Sequence, residues 1–166
     1  MDIRPSGGCE SGLGGLTAVK ELLEIMPQEY IGYLGDTWRV PCGSRSQETL
    51  IKYAAQDIHF LEEKQVKMIV IACGTISSLV GRLKKPQDLP IIDVLYPPAL
   101  AASLATHNKR VGVIGTSTTI HSGSSRRVLA EIAPQIQVFD SDCPLFVQLV
   151  ESGFIEEDDT VTRLVE

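Results

Sequence analysis

The residues best suited to chemistry sit just after short apolar runs. Cys73-Gly74-Thr75 follows Met68 to Ala72 (M-I-V-I-A). A thiol at a strand end, ahead of a helix expected near Ser77, would have its thiolate favoured by the helix dipole and by free N–H groups. Cys73 is therefore the best reactive-cysteine candidate, against the alternative of a packed small hydrophobe. Glu10-Ser11-Gly12-Leu13-Gly14-Gly15 lets backbone N–H groups approach an anion at a helix start. It is neither G-x-G-x-x-G nor a Walker A sequence, so a carboxylate is a better guest than a nucleotide. The loop Gly35 to Ser46 carries Arg39 and Arg45, and arginine suits a carboxylate partner. The hydroxyls in Gly115 to Ser122 could hold carboxylate oxygens or cap the next helix. His121 reads as a surface residue and Glu151 as a solvent-facing carboxylate, while Cys143 lies between a strand and a helix, where geometry alone does not exclude a second thiol.

Elements that alternate strand and helix must position these groups. Tyr30 to Leu34, Met68 to Ala72, Ile91 to Leu95, Arg110 to Ile114 and Ile136 to Phe139 read as strands. Their continuous apolar character suits parallel strands covered on both faces. Leu16, Val19, Leu22, Leu23 and Met26 recur at helical spacing until Pro27 stops them. Ser44 and Gln47 form a capping box ahead of a helix through Ile51, Ala54, Ile58 and Leu61. Further helices are predicted from Pro98 to Thr106, Ser122 to Ala133 and Pro144 to Ser152, the last stopped by Gly153. Glu156 to Asp159 reads as the first turn of another. The alternation predicts an α/β fold with parallel sheets and flanking helices, in which ligands collect at the carboxyl ends of the strands. Met1 to Glu10 lies where a first strand belongs, yet R-P-S-G-G-C-E is a poor strand sequence. Tyr96-Pro97-Pro98 is a candidate hinge dividing the chain into α/β units 1–96 and 97–166.

The 166 residues are 43% hydrophobic and 22% charged, enough for a core and too apolar for wholesale disorder. Fifteen basic against twenty-one acidic residues give −6, the wrong sign for a general nucleic-acid or anionic-membrane binder. No apolar run reaches membrane-spanning length and Met1 to Cys9 lacks a signal-peptide core, so a cytoplasmic protein is expected. Cys9, Cys42, Cys73 and Cys143 form no C-x-x-C pair, which disfavours zinc and a disulfide framework.

Taken in order, these strings resemble the glutamate racemases of the aspartate/glutamate racemase superfamily, from about Glu10 to Gly153. E-S-G-L-G-G at Glu10 to Gly15 is similar to the family's D-S-G-x-G-G, and G-D-T-W-R-V-P-C-G at Gly35 to Gly43 to its G-D-T-x-R-x-P-Y-G. C-G-T at Cys73 to Thr75 is similar to its C-N-T. G-V-I-G-T-x-x-T-I-x-S is present at Gly112 to Ser122, and C-P-L-F-V-Q-L-V-E at Cys143 to Glu151 is similar to its C-P-x-F-V-P-L-V-E.

The resemblance implies two Rossmann-like or flavodoxin-like halves, the first incomplete because the family's final strands are absent here. It implies a cofactor-independent isomerase without a metal, interconverting L- and D-glutamate by two-thiol proton transfer and supplying D-glutamate for peptidoglycan and cell shape. The two thiols must face one carbon from opposite sides, with anion-binding groups holding the carboxylates. By position, Cys73 is an acid/base, Glu10 its support and Glu151 an aid at the second-thiol side. Ser11, Cys42, Gly43, Gly74, Thr75, Thr116 and Thr119 fall on substrate-binding positions. The expected partner is a small molecule, with homodimerisation a family habit. Glu10 stands for Asp, Cys42 for Tyr and Gly74 for Asn, and the family's second thiol lies in a G-C-T-H segment that this sequence does not contain. The alternative implied by those departures is a non-catalytic relative binding a dicarboxylate or a protein.

Overall fold

A computed structural model describes residues 2–40 and 42–153. Four parallel strands form the larger sheet in the order β2-β1-β3-β4: β1 (Ser6–Glu10), β2 (Ile31–Gly35), β3 (Met68–Ile71) and β4 (Ile91–Asp93). A smaller parallel sheet pairs β5 (Arg110–Gly115) with β6 (Gln137–Asp142). Helices connect the strands throughout. The fold is therefore α/β with parallel sheets, as the strand–helix alternation predicts.

The poor strand sequence at the start is corrected. Ser6–Glu10 is a central strand, paired on both sides by β2 and β3. Its glycines are what permit this. A Cβ on Gly7 would come within 3.2 Å of the Val66 methyls, and one on Gly8 within 3.3 Å of the Tyr33 ring. Glycine in a strand interior weakens it by entropy but admits close neighbours. Here the neighbours supply the apolar cover that S-G-G-C lacks.

Helix α1 (Gly15–Ile25) ends just before Pro27, as expected. Helix α2 (Gln47–Glu63) is capped not by a Ser44–Gln47 box but by Ser46, whose Oγ accepts the Thr49 N–H at 3.3 Å. Its Leu50, Ala54, Ile58 and Leu61, spaced by four, four and three, are all buried. They join Ile69 and Ile71 of β3 in the main core. The short α3 (Gly74–Ser77) starts directly at Cys73, earlier than expected.

Helix α4 (Tyr96–Ala105) absorbs Tyr96-Pro97-Pro98 into its first turn, so these residues are helical and not a loose hinge. Proline is tolerated there because first-turn N–H groups lack intrahelical partners anyway. The single helix expected from Ser122 to Ala133 is two, α5 (Ser117–Ser122) and α6 (Ser124–Ile132). They are split at Gly123, whose φ of 65° is left-handed. Helix α7 (Phe146–Glu151) ends before Gly153, at φ 82°. The helix start expected at Glu156 to Asp159 lies outside the described residues. A second, smaller core gathers Ala99, Leu129 and Val138 between α4, α6 and the smaller sheet. Among the described residues no helix is long and apolar enough to cross a membrane.

Ile69 is fully buried in the main core while Leu104 is 78% exposed. Ile69→Ala is expected to lower the unfolding free energy by about 2–5 kcal/mol in urea denaturation, through lost transfer energy and a cavity. Leu104→Ala is expected to change it by less than about 0.5 kcal/mol.

Candidate active site

The parallel register of β1 and β3 sets Cys9 opposite Ile71. The next residues of each strand therefore emerge side by side, Glu10-Ser11 from one and Cys73 from the other. The Ser11 hydroxyl lies 3.4 Å from Cys73 Sγ. The single hydroxyl hydrogen can be given either to the sulfur or to Glu10 Oε1, 3.3 Å away, and the other Glu10 oxygen accepts the Gly12 N–H. Cys73 occupies the cap position of α3, with Ser77 N–H bonded to its carbonyl at 2.8 Å.

The thiolate stabilisation expected at this helix start is not what the structure provides. Cys73 is 4% exposed, and burial pushes its thiol up to about 11; the Ser11 hydrogen bond pulls the other way and the Glu10 charge adds to the rise. A four-residue helix has little dipole to offer, and desolvation outweighs it. The sulfur is nonetheless not enclosed by hydrocarbon alone. Cys9, Glu10, Ser11, Asp36, Cys42 and Asp57 share a cavity of about 10 Å³ with it, room for one water. Cys42 is buried too, and burial raises its thiol against the pull of a Ser11 hydrogen bond.

Beside this pocket runs a chain of hydroxyls. Thr75 Oγ1 lies 3.0 Å from Thr116 Oγ1, which lies 2.9 Å from Thr119 Oγ1. Thr116 also caps α5, accepting the Thr119 N–H at 3.3 Å. Thr118 donates to the Gly43 carbonyl at 3.0 Å. The close approach requires glycine: a Cβ on Gly43 would fall 2.6 Å from the Thr116 methyl. Gly74 is exposed and opens instead onto a separate cavity of about 350 Å³ that also touches Thr119.

Glu151 does not face solvent as its local sequence suggests. It is half-buried and accepts the Leu13 N–H at 2.9 Å, so α7 is tied to the glycine-rich loop. Two of the amides expected to hold a ligand carboxylate are thereby taken by Glu10 and Glu151. Cys143 is half-buried, its N–H bonded to Gly115 O at 2.8 Å, and does not line the Cys73 pocket. His121 lies exposed in the last turn of α5.

The arginines also find partners within the chain. Arg39 Nη1 is 3.4 Å from Asp36 and 3.8 Å from Asp57, and its guanidinium lies 4.4 Å over the Tyr53 ring. Arg45 lies 5.8 Å over the same ring and donates from Nε to the Arg39 carbonyl at 3.1 Å. Burial, with Asp36 adding repulsion and Arg39 opposing, pushes Asp57 up to about 6. Asp57 and Tyr53 escaped the sequence reading. Their i,i+4 spacing on α2 was the only signal, and it does not tell a pocket-facing acid from a solvated one.

No protein-family model matches the chain. The glutamate racemase of Streptococcus gordonii is 43% identical over 166 residues, covering 99% of this chain and 62% of that protein. That of Thermoanaerobacter sp. is 44% identical over 153 residues, 92% of this chain and 57% of that protein. The crystal structure of the Francisella tularensis glutamate racemase in complex with D-glutamate superposes with a TM-score of 0.86 at 40% identity, covering 99% of this chain and 62% of that one. Fold and sequence together define the class, an α/β chain with the racemase fold. Within that class it is a relative of the glutamate racemases, matching them along nearly its whole length. It spans about three fifths of the length of those relatives.

Three measurements check this geometry. Alkylation of Cys73 by iodoacetamide is expected to titrate near pH 11, well above the ordinary thiol value. Ser11→Ala, which removes the hydrogen bond favouring the thiolate, is expected to slow alkylation at pH 9 by up to about tenfold, the equivalent of one pH unit. Gly43→Ala is expected to push the loop off Thr116 and lower the melting temperature by several degrees, on the order of 1–3 kcal/mol of overpacking.

Proposed function

We propose that this chain carries the Cys73 side of a glutamate racemase, an isomerase acting on the α-carbon of glutamate without cofactor or metal. Cys73 exchanges the α-proton. Glu10 orients Ser11, and Ser11 supports the thiolate. Glu151 holds the glycine-rich loop at the far side of the site. Ser11, Cys42, Gly43, Gly74, Thr75, Thr116 and Thr119 contact substrate on this reading, the threonine hydroxyls being donors suited to carboxylate oxygens. We also read residues 1–96 and 97–166 as separate α/β units, supported by the change of sheet between β4 and β5. The physiological role that goes with the reading is supply of D-glutamate for peptidoglycan in the cytoplasm, by a protein that pairs as a homodimer.

The observation that carries the proposal is the 3.4 Å approach of Ser11 Oγ to Cys73 Sγ at the abutting ends of two parallel strands. It is supported by 43% identity to a glutamate racemase along the chain. A second reading, a non-catalytic dicarboxylate-binding relative, is favoured by the small pocket and the raised thiol.

Deuterium incorporation at the α-carbon distinguishes the two. With Cys73 as the thiol that serves one face, the chain in D₂O is expected to label one glutamate enantiomer and to leave the other unlabelled, and Cys73→Ala to abolish labelling. Heat of glutamate binding without labelling of either enantiomer would replace the racemase reading with the second one. Stereoinversion at a full racemase rate would refute the assignment of Cys73 as the lone proton-transfer thiol of this chain.

A further inference from the structure

The segment bearing Cys42 and Gly43 leaves β2 and enters α2, and nothing covalent holds it against the Cys73 pocket. Thr118 holds its middle, donating to the Gly43 carbonyl at 3.0 Å, and a cluster of side chains holds it on either side. Before Cys42 stands Arg39, 3.4 Å from Asp36 and 3.8 Å from Asp57, stacked 4.4 Å above Tyr53. After Gly43 stands Arg45, 5.8 Å from the same ring and bonded through Nε to the Arg39 carbonyl at 3.1 Å. The two arginines are thus drawn together over one face of α2. Of the two carboxylates, Asp36 moves with the segment, whereas Asp57 is built into the helix. Asp57 is the fixed point of the cluster.

We propose that Asp57 is a positioning residue, tethering through Arg39 the segment that presents Cys42 and Gly43 to the Cys73 pocket. The chain carries a tether dependent on charge because the groups facing Asp57 are few and of both signs. They are Asp36 and Arg39 from the β2 side, Arg45 through the shared Tyr53, and Cys9, Glu10, Cys42 and Cys73 across the small cavity. Attraction to Arg39 requires the carboxylate. Burial and the Asp36 charge disfavour that same carboxylate and raise its proton affinity to about 6. An acid raised in this way contributes most to folding below its ordinary value of 3.8, and the contribution is lost as the pH rises through about 6. The tether and the stability contribution therefore run in opposite directions with pH, which separates positioning from structural support. The link to glutamate turnover rests on the function proposed above; the tether itself does not.

Trp38, the only tryptophan, is 95% exposed beside Arg39 and reports on the segment directly. In the 166-residue chain, Trp38 fluorescence anisotropy is expected to fall on acidification with a midpoint near pH 6. In Asp57→Asn it is expected to be low and flat across pH 5–8, and in Asp57→Glu the transition is expected to return. At pH 8, in a Cys9→Ser, Cys143→Ser background, labelling of Cys42 is expected to rise about tenfold in Asp57→Asn, the effect of a local opening made easier by one decade. The melting temperature is expected to be unchanged or higher. Arg39→Gln reproduces the labelling change with Asp57 intact. Wild-type anisotropy and labelling in both variants would overturn the proposal, as would a pH transition that persists in Asp57→Asn. Neither readout uses glutamate, so absent deuterium labelling with an intact Trp38 transition rejects the racemase reading alone.

Discussion

The pairing of β1 with β3 is the constraint on which the site depends. Two parallel neighbours finish at the same edge of a sheet, so whatever follows each strand is brought abreast. Here that places the Ser11 hydroxyl 3.4 Å from the Cys73 sulfur. The register is secured at the opposite edge. Glu29 Oε1 accepts from the Ser6 hydroxyl at 2.7 Å, and its partner oxygen meets Lys67 Nζ at 2.7 Å. The Lys67 N–H bonds to the Pro5 carbonyl at 2.9 Å. One carboxylate thus ties the entry of β1 to the entry of β3, with its own proton affinity held below the usual range by Lys67 and Ser6. A slip of one residue would reverse the faces of every side chain in β1 and carry Ser11 away from the sulfur.

The second sheet reaches this site through hydroxyls. Thr75 follows Cys73, and Thr116 follows β5, so the Thr75–Thr116 hydrogen bond joins the carboxyl edges of the two sheets. Thr118 to Gly43 is a further cross-link, from the same helix start to the segment after β2. Hydroxyls can both donate and accept and rotate freely to do so. A bridge made of them can rearrange its protons around an incoming anion while the backbone positions stay in place. The apolar cores of the two sheets remain separate, around Leu50, Ile69 and Ile71 in one and around Leu129 in the other.

Much of this was legible from the sequence, and the failures share a cause. The strands with continuous β-branched character, and the helices with a three-four repeat, follow from local pattern and fall within one to three residues of their expected limits, β6 running on to Asp142. Ser6–Glu10 was illegible because its glycines are chosen for what lies above them, Val66 and the Tyr33 ring, and those neighbours are distant in the chain. The division of one helix into α5 and α6 turns on a single glycine that adopts a left-handed φ instead of being absorbed into the helix. Glu151 was misassigned for the same reason as Gly7 and Gly8: its partner, the Leu13 N–H, is 138 residues away. The placement of Cys73, Ser11, Thr75 and Thr116 at strand ends was recoverable because the rule for parallel sheets requires only the order of the elements. The charge balance around them was not, since desolvation depends on what packs overhead.

That balance sets a condition on any proton chemistry at Cys73. With the thiol pushed up to about 11, forming the thiolate at neutral pH costs about 5 kcal/mol, at 1.36 kcal/mol for each pH unit. Ser11 already contributes its hydrogen bond, and Glu10 opposes with its charge. On the racemase reading the compensating charge must come from the substrate. An ammonium group about 4 Å from the sulfur would be worth about 4 kcal/mol at an effective dielectric of 20, close to what is required. The same ammonium would also be attracted by Glu10, whose charge then assists binding. On that same reading an acid-lined thiol pocket would favour an amino acid over a plain dicarboxylate: the first would bring a cation that ionises the sulfur, while the second would add negative charge beside Glu10, Asp36 and Asp57.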